Sequence, residues 1–202
     1  MALVKDPSSF VHPNIIFDGD ADIGFCSYLG FGPESNIPTR IGKDVRIGAF
    51  CIIEHGVYIE DNVEIDHYCQ VASGAHIGSN TRILYRAAIF NNVTVGRDCI
   101  IAGELVDRTV VGDEVTFQGE TAHTHNDPTG DWDQTEEPSP IIESGCVIGV
   151  GALIIGGIRI GPRAYVAAGE VVTCDVPEGT VVKKGEIHPL SYFRGLIKVR
   201  GS

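Results

Sequence analysis

A six-residue spacing of branched apolar residues constrains the fold of this chain more than any other feature of its sequence. From Ile41 to Ile101 every sixth residue is Ile or Val, and the residue two positions before each later member is small or compact. Two such columns at one phase indicate an internal repeat of the kind found in solenoid proteins. The first column comprises Ile41, Ile47, Ile53, Ile59, Ile65, Val71, Ile77, Ile83, Ile89, Val95 and Ile101.

The spacing within each repeat predicts short strands. Pairs such as Val45 and Ile47 are two residues apart, which places both side chains on one face of a strand. The residues between the pairs include Gly and Asn, which tolerate the backbone angles of tight turns. An amphipathic helix would need apolar residues at steps of three and four. The pattern therefore predicts an all-β chain of short strands separated by tight corners.

The repeat is interrupted in three places. Residues 31–34 suggest a bulge from an imperfect first coil, and the phase slips after Ile101, because Val111 follows ten residues later and not twelve. From His123 to Pro140 there is no repeat signal, and a long loop inside a compact domain is usually functional. After residue 177 we expect a strand over 180–184 and a short helix over 189–200. We predict one domain over residues 1–202, with a loop over 123–141 and a C-terminal cap over 178–202.

Composition excludes several kinds of partner. The net charge of -12 argues against nucleic acid or an anionic membrane as the main partner. No apolar run approaches the roughly 18 residues of a membrane span, and the first residues lack the apolar centre of a signal peptide. Four of the six cysteines fall in the small inward slot of the repeat, which indicates reduced core thiols and a cytoplasmic protein. These four are Cys51, Cys69, Cys99 and Cys146.

The stretch from Ile142 to Pro177 resembles a known family. It reads IESGCVIGVGALIIGGIRIGPRAYVAAGEVVTCDVP, which is similar to the last coils of the hexapeptide-repeat acyltransferases. That family includes galactoside and xenobiotic O-acetyltransferases and nucleotide-sugar N-acetyltransferases, and the resemblance covers roughly residues 17–180. It implies a left-handed parallel β-helix with three repeat units per coil, so that residues eighteen apart stack. It also implies a homotrimer with acetyl-CoA in a groove between neighbouring chains.

The resemblance also implies where acetyl-CoA binds. Small residues in the family's last coils contact the cofactor, and they match Val150, Gly151, Ala168 and Thr173. Two departures are Glu170, where the family usually has Ser, and Cys174, where it often has Lys. The family's usual Gly-x-Pro-Ala tail is also replaced, here by residues 183–189. Arg163, Lys183 and Lys184 are candidates to supply the positive charge that this replacement removes. The alternative is that both lysines are ordinary solvated residues.

Two histidines are the candidate catalytic residues, since the family places its histidine where a strand leaves for the long loop. His123 and His125 occupy that position here. A neutral imidazole can take the proton that an acceptor must lose, which is general-base catalysis. His123, the first residue off the strand, is the first candidate, and His125 is the alternative base or a substrate contact. The candidate substrate contacts are Asn126, Asp127 and Trp132, each of which could instead be an ordinary loop residue.

These expectations combine into one functional hypothesis. The chain would transfer acetyl from acetyl-CoA to a sugar-like small molecule, first to the amino group of a nucleotide-linked amino sugar. The alternative acceptor is a hydroxyl of a saccharide or small molecule, and the sequence leaves nitrogen and oxygen both open.

Two other classes of protein share the repeat. One is a γ-class carbonic anhydrase-like metalloprotein, with His123 and His125 joined by His67 or His76 of a neighbouring chain. The family's paired ligands lie five residues apart and not two, so no metal is expected. The other is a non-catalytic scaffold, which would not bind CoA.

Overall fold

Three parallel β-sheets wind into a solenoid of about nine turns. The structure is a computed structural model that describes residues 3–32, 37–125, 129 and 137–193. Strands are numbered in chain order, and each turn from β1 to β24 contributes one strand to each sheet. Sheet A contains β1 (Leu3–Lys5), β4 (Ala21–Ile23), β7 (Val45–Ile47), β10 (Glu64–Ile65), β13 (Arg82–Ile83), β16 (Ile100–Ile101), β19 (Thr116–Phe117), β22 (Val147–Ile148), β25 (Tyr165–Val166), β27 (Thr180–Lys183) and β28 (Glu186–Pro189).

The other two sheets complete a triangular cross-section. Sheet B contains β2 (Phe10–Val11), β5 (Tyr28–Phe31), β8 (Ile52–Glu54), β11 (Gln70–Val71), β14 (Ala88–Ile89), β17 (Glu104–Leu105), β20 (Glu120–Ala122), β23 (Leu153–Ile155) and β26 (Val171–Val172). Sheet C contains β3 (Ile16–Phe17), β6 (Arg40–Ile41), β9 (Tyr58–Ile59), β12 (His76–Ile77), β15 (Thr94–Val95), β18 (Val110–Val111), β21 (Ile141–Ile142) and β24 (Arg159–Ile160). We name the turns between sheets the A–B, B–C and C–A corners.

The register of the strands confirms the predicted stacking. In sheet A, Ile47 pairs with Ile65 and Ile65 with Ile83, each eighteen residues apart. These side chains point inward and are almost completely buried, as are the compact residues of the second column. Burial of two columns per strand fills the tube with β-branched and small groups. The all-β parallel β-helix with three repeat units per coil is confirmed.

The phase slip after Ile101 arises at the A–B corner. Ile101 pairs with Phe117 only sixteen residues later, because the corner at residues 102–103 is two residues short. The next A–B corner, at residues 118–119, is short in the same way. A Cβ added to Gly103 would lie 1.9 Å from the carbonyl oxygen of Gly119. A Cβ added to Gly119 would lie 2.3 Å from the carbonyl oxygen of Ala152. Only glycine allows the backbones to approach so closely.

The chain ends in a hairpin that the sequence did not indicate. The predicted strand over 180–184 is β27, and it turns back through Lys184 and Gly185 into the antiparallel β28. A 3₁₀ helix over Leu190–Phe193 replaces the first part of the predicted helix, and residues 194–200 lie outside the described residues. The register shifts between Leu29 and Phe31, next to the predicted bulge, of which residues 33–34 lie outside the described residues. Within the described residues, no helix is long and apolar enough to span a membrane.

Candidate functional site

The two candidate histidines lie together at the B–C corner where β20 ends. His123 follows Ala122 directly, and its ring centroid is 5.9 Å from that of His125, at an interplanar angle of 75°. His123 is partly buried, and its Nδ1 atom is fully buried without a hydrogen-bond partner among the described residues. His125 is exposed and has a φ of 47°, a left-handed backbone conformation. The chain thus turns sharply at His125 and brings the edge of one imidazole to the face of the other.

The returning end of the loop holds this segment through Glu137. Glu137 Oε2 accepts hydrogen bonds from the hydroxyl of Thr124 at 3.0 Å and the backbone N–H of His125 at 2.8 Å. The backbone hydrogen bond from His125 is the main cause that lowers the pKa of the Glu137 carboxyl below its ordinary value. The Glu137 carbonyl oxygen in turn accepts a hydrogen bond from Arg108 Nη2 at 3.1 Å. One residue therefore ties both ends of the loop to the coil below.

Packing against the neighbouring coils fixes the base of the loop further. Above it, a Cβ on Gly156 would lie 2.6 Å from Thr124 Cγ2, and one on Gly157 would lie 2.2 Å from Pro138 Cβ. Below it, the Ser139 hydroxyl donates a hydrogen bond to the carbonyl oxygen of Asp107 at 2.6 Å. The two glycines leave room for the loop ends to cross the corner at close range. Asn126, Asp127 and Trp132 lie outside the described residues.

Three of the predicted cofactor contacts share the A–B corner. Val150 is 65% exposed, and its carbonyl oxygen accepts a hydrogen bond from the N–H of Gly169 at 3.0 Å. Ala168, which lies eighteen residues after Val150, is also exposed. A Cβ added to Gly151 or Gly169 would meet no atom within 4 Å. This strip of small residues is therefore open and could hold a narrow chain.

The C-terminal hairpin ends above the same strip. The N–H of Ala167 donates to the carbonyl oxygen of Val182 at 3.0 Å, which brings the end of β27 over the A–B corner. Lys183 and Lys184 are exposed at this hairpin tip. Glu170 holds the turn, because its carboxylate accepts hydrogen bonds from the N–H groups of Lys184 and Gly185. The upper end of the strip thus carries two lysines, with the carboxylates of Glu170 and Glu186 beside them.

The structure does not bring the remaining cofactor candidates to this corner. Thr173 is exposed at the B–C corner just after β26. Arg163 lies at the C–A corner, where its guanidinium pairs with the Glu178 carboxylate. Their separation follows from the geometry of the coil, since each corner is one repeat unit from the next. Arg163 and the two lysines therefore belong to different edges of the tube.

The histidine pair and the open strip lie at opposite edges of sheet B. Gly156, whose N–H donates to the carbonyl oxygen of Ala122 at 2.8 Å, is adjacent to the histidine segment. It follows Gly151 by five residues, and β23 lies between the two glycines. Within one chain, the two parts of the candidate site are therefore separated by the width of one sheet.

The other histidines have their own contacts. His76 Nε2 lies 2.8 Å from Glu60 Oε1 on sheet C, and His67 Nδ1 accepts a hydrogen bond from the N–H of Ala49 at 2.8 Å near the A–B corner. In the part of the chain that the structure describes, no three His, Cys, Asp or Glu side chains form a group suited to a metal ion. A metal site shared with a neighbouring chain would need contacts that a single chain does not contain.

Sequence reasoning missed Glu137, Arg108 and the role of Glu170. Glu137 lies in the returning end of the loop, and its partners are twelve and thirteen residues away in the sequence. Arg108 belongs to the coil below. No repeat position or motif marks either residue. Glu170 carried a signal, since a carboxylate in a small slot needs a partner.

Family profiles match the repeat in both halves of the chain. A profile described as bacterial transferase hexapeptide (six repeats) matches residues 38–72 and 56–91, and one described as the hexapeptide repeat of succinyl-transferase matches residues 141–174. The chain belongs to the hexapeptide-repeat family. In this hexapeptide-repeat protein, the second profile covers the open strip at the A–B corner.

Curated relatives of this hexapeptide-repeat protein match it over a short segment. A 2,3,4,5-tetrahydropyridine-2,6-dicarboxylate N-acetyltransferase of Staphylococcus aureus strain bovine RF122 / ET3-1 is 57% identical over 42 residues. The corresponding protein of strain JH9 is 55% identical over 42 residues. In both cases the match spans 21% of this chain and only 18% of the relative's own length.

Solved structures share the fold over nearly the whole hexapeptide-repeat chain. The UDP-N-acetylglucosamine acyltransferase of Francisella novicida has a TM-score of 0.64 at 16% identity, covering 96% of this chain and 75% of that one. The UDP-N-acetylglucosamine acyltransferase from Campylobacter jejuni has a TM-score of 0.52 at 14% identity, covering 96% and 79%. At these identities the likeness establishes the fold alone.

Proposed function

We propose that this protein transfers an acetyl group from acetyl-CoA to the amino group of a small sugar-like acceptor, with a nucleotide-linked amino sugar as the first candidate. The observation that carries the proposal is the placement of two histidines and an open strip of small residues on the two edges of one sheet. The matched segment of the Staphylococcus aureus relatives, which are named N-acetyltransferases, favours nitrogen as the accepting atom.

The open strip would bind the donor. Val150, Gly151 and Ala168 are exposed, and the open space beside Gly151 would let pantetheine lie against this corner. Lys183 and Lys184, which are exposed at the hairpin tip, would contact the phosphates of CoA. Acetyl-CoA supplies an acetyl group already activated as a thioester.

The histidine pair would remove the acceptor's proton. The nitrogen of the acceptor forms a bond to the acetyl carbon, the bond from that carbon to sulfur breaks, and CoA leaves as its thiol. His123 takes the proton lost by the nitrogen and returns it to the departing sulfur, so atoms and charge balance. Such general-base help is worth about a hundred- to ten-thousand-fold in rate. His125 would orient His123 or contact the acceptor, together with Asn126, Asp127 and Trp132.

A second copy of the chain would complete the site. The open strip of Val150, Gly151 and Ala168, which we call the donor strip, lies at the opposite edge of sheet B from the histidines. An A–B corner of one chain must therefore meet the B–C corner of its neighbour. A ring of three chains with sheet B facing the axis would create three such contacts. Four aromatic rings at the A–B corner are about half exposed and would be covered in this arrangement. They belong to Phe25, Phe50, Tyr68 and Tyr85.

A thiol-release assay with acetyl-CoA would test the proposed function. The acceptors should include a nucleotide-linked amino sugar, the same nucleotide sugar with a hydroxyl in place of the amine, and a small amine without a nucleotide. We expect thiol release with the first and little with the second. Release with the hydroxyl compound alone would establish O-acetylation, and no release with any acceptor would contradict acetyl transfer. A metal analysis of the same sample addresses the carbonic anhydrase-like alternative.

We also propose a cytoplasmic location. In the described residues all six cysteines are thiols without a disulfide, and Cys51, Cys69, Cys99 and Cys146 are buried in the core. Reduced thiols are typical of proteins in a reducing compartment.

A further inference from the structure

The carboxylate of Glu137 is placed to control the histidine segment. Its Oε2 atom accepts hydrogen bonds from two consecutive residues, the Thr124 hydroxyl and the His125 backbone N–H. Both donors immediately follow His123. The carboxylate reaches them from the opposite end of the loop, so it bridges the departing and returning segments.

The backbone of His125 turns sharply at this contact. Its φ of 47° lies in the left-handed region, which this chain also adopts at other corners, such as those of Asn92 and Arg108. The hydrogen bond to Glu137 holds the N–H of this residue and therefore the sharp turn. Without the turn, the ring of His125 would not lie at 5.9 Å from that of His123.

The orientation of His123 depends on this contact. Its buried Nδ1 atom has no hydrogen-bond partner among the described residues. Histidine bases are usually oriented by a group bonded to the nitrogen that does not face the substrate. Here the imidazole of His125 lies edge to face with the ring, at a centroid distance of 5.9 Å.

We propose that Glu137 is the positioning residue of the histidine pair and acts through the backbone of His125. The inference rests on the proposed acetyl transfer, and it adds a residue to that site which neither contacts the donor strip nor takes the proton. A role as the base itself fits less well, because Oε2 is occupied by two hydrogen bonds and the pKa of the carboxyl is lowered. The rest of the loop base is held independently by Arg108 on the Glu137 carbonyl and by Ser139 on Asp107. Removing the carboxylate should therefore loosen the histidine segment without unfolding the coil.

Two substitutions with one control test the proposal in the full chain. Glu137→Ala removes both hydrogen bonds, whereas Glu137→Gln retains one acceptor oxygen and the shape of the side chain. Glu114→Gln is the control, since Glu114 is an exposed carboxylate at the C–A corner, away from sheet B. The measurements are amide hydrogen exchange of the segment 121–125 and the separate values of kcat and KM in the thiol-release assay.

We expect exchange at the His125 amide to rise about tenfold in Glu137→Ala and less in Glu137→Gln, since the lost bond is one to a charged acceptor. We expect kcat to fall about tenfold or more in Glu137→Ala, with KM for acetyl-CoA unchanged, because a misplaced base slows the reaction without altering donor binding. Glu114→Gln should match the unsubstituted protein in both measurements. If Glu137→Ala does not fold, Glu137→Gln supplies both readouts.

Three results would overturn the proposal. Unchanged exchange would show that the carboxylate does not hold the segment. Faster exchange with unchanged kcat would show a structural contact without effect on the base. A lower kcat with unchanged exchange would show that Glu137 acts directly on the reactants. If the unsubstituted chain transfers no acetyl group, the proposed function fails separately, and the exchange result still decides whether Glu137 fixes the histidine segment.

Discussion

Glu170 accepts a hydrogen bond from the backbone N–H of Lys184 at 2.5 Å and so ties the C-terminal hairpin to the last complete coil. The same carboxylate also accepts from the N–H of Gly185 at 2.9 Å. In a repeat whose other small slots hold uncharged residues, this carboxylate holds a turn. The hairpin tip that it holds carries the two lysines above the donor strip.

Loss of this contact should affect donor binding more than folding. Glu170→Ala removes two hydrogen bonds at a partly exposed site, so we expect a loss of about 1 kcal/mol in the free energy of unfolding. We expect KM for acetyl-CoA to rise several-fold, because the lysines are no longer held over the strip. Denaturant unfolding and the thiol-release assay measure the two effects. An unchanged KM for acetyl-CoA would show that the hairpin does not contribute to donor binding.

The general-base assignment predicts a large loss of turnover. His123→Ala should lower kcat by about a hundredfold or more, whereas His125→Ala should lower it less and raise KM for the acceptor. His76→Ala on sheet C serves as the control and should retain turnover. The reverse ranking would assign the base to His125. If neither substitution lowers kcat by about tenfold, neither histidine is the base.

A site shared between chains predicts recovery of activity in mixed oligomers. Gly151→Val should block the donor strip in one variant, and His123→Ala should remove the base in another. Co-expression would then create interfaces that combine an intact strip with an intact histidine, about one quarter of all sites in a randomly mixed trimer. We expect acetyl transfer by the co-expressed mixture and little or none by either variant on its own. No recovery, with mixed oligomers shown by mass spectrometry, would mean that each chain holds a complete site or that the interface differs.

Two glycines with positive φ should respond differently to the same substitution. Gly103→Ala places a Cβ 1.9 Å from the carbonyl oxygen of Gly119, and its φ of +102° is strained for any side chain. We expect a loss of about 2–4 kcal/mol in the free energy of unfolding. Gly151→Ala meets no atom within 4 Å and should cost only about 1 kcal/mol, while it raises KM for acetyl-CoA. Equal losses of stability would contradict the close approach at Gly103.

The buried thiols predict destabilisation in alkali. Burial raises the pKa of Cys99 and of Cys146 to about 11 from the usual value near 9.0. Because each folded-state pKa lies above the unfolded one, the stabilisation is fully present below pH 9 and is lost as pH rises through about 11. The loss is roughly 2–3 kcal/mol per thiol.

Unfolding free energies measured between pH 8 and 11 would check this dependence. Cys99→Ala should make it shallower, whereas Cys174→Ala, at an exposed thiol, should leave it unchanged. An unaltered slope in Cys99→Ala would mean that this thiol does not titrate with unfolding.

The sequence predicted the tube because burial repeats at every coil. Ile47, Ile65 and Ile83 occupy equivalent environments, so their identity alone reports the stacking. The slip after Ile101 was visible as a change of phase, but nothing in the sequence located it at one corner. The contacts of Glu137 were not predictable, because they join the two ends of a loop whose path no repeat dictates. The hairpin at Lys184 was missed because its antiparallel pairing follows a different pattern from the coils.

The two shortened A–B corners are lined by backbone, with glycine at each point of closest approach. The outline of this edge is consequently set by how many residues each turn contains, and exchanging side chains there has little scope to widen or narrow it. A change in the outline of this edge therefore requires a change in the number of residues in its turns.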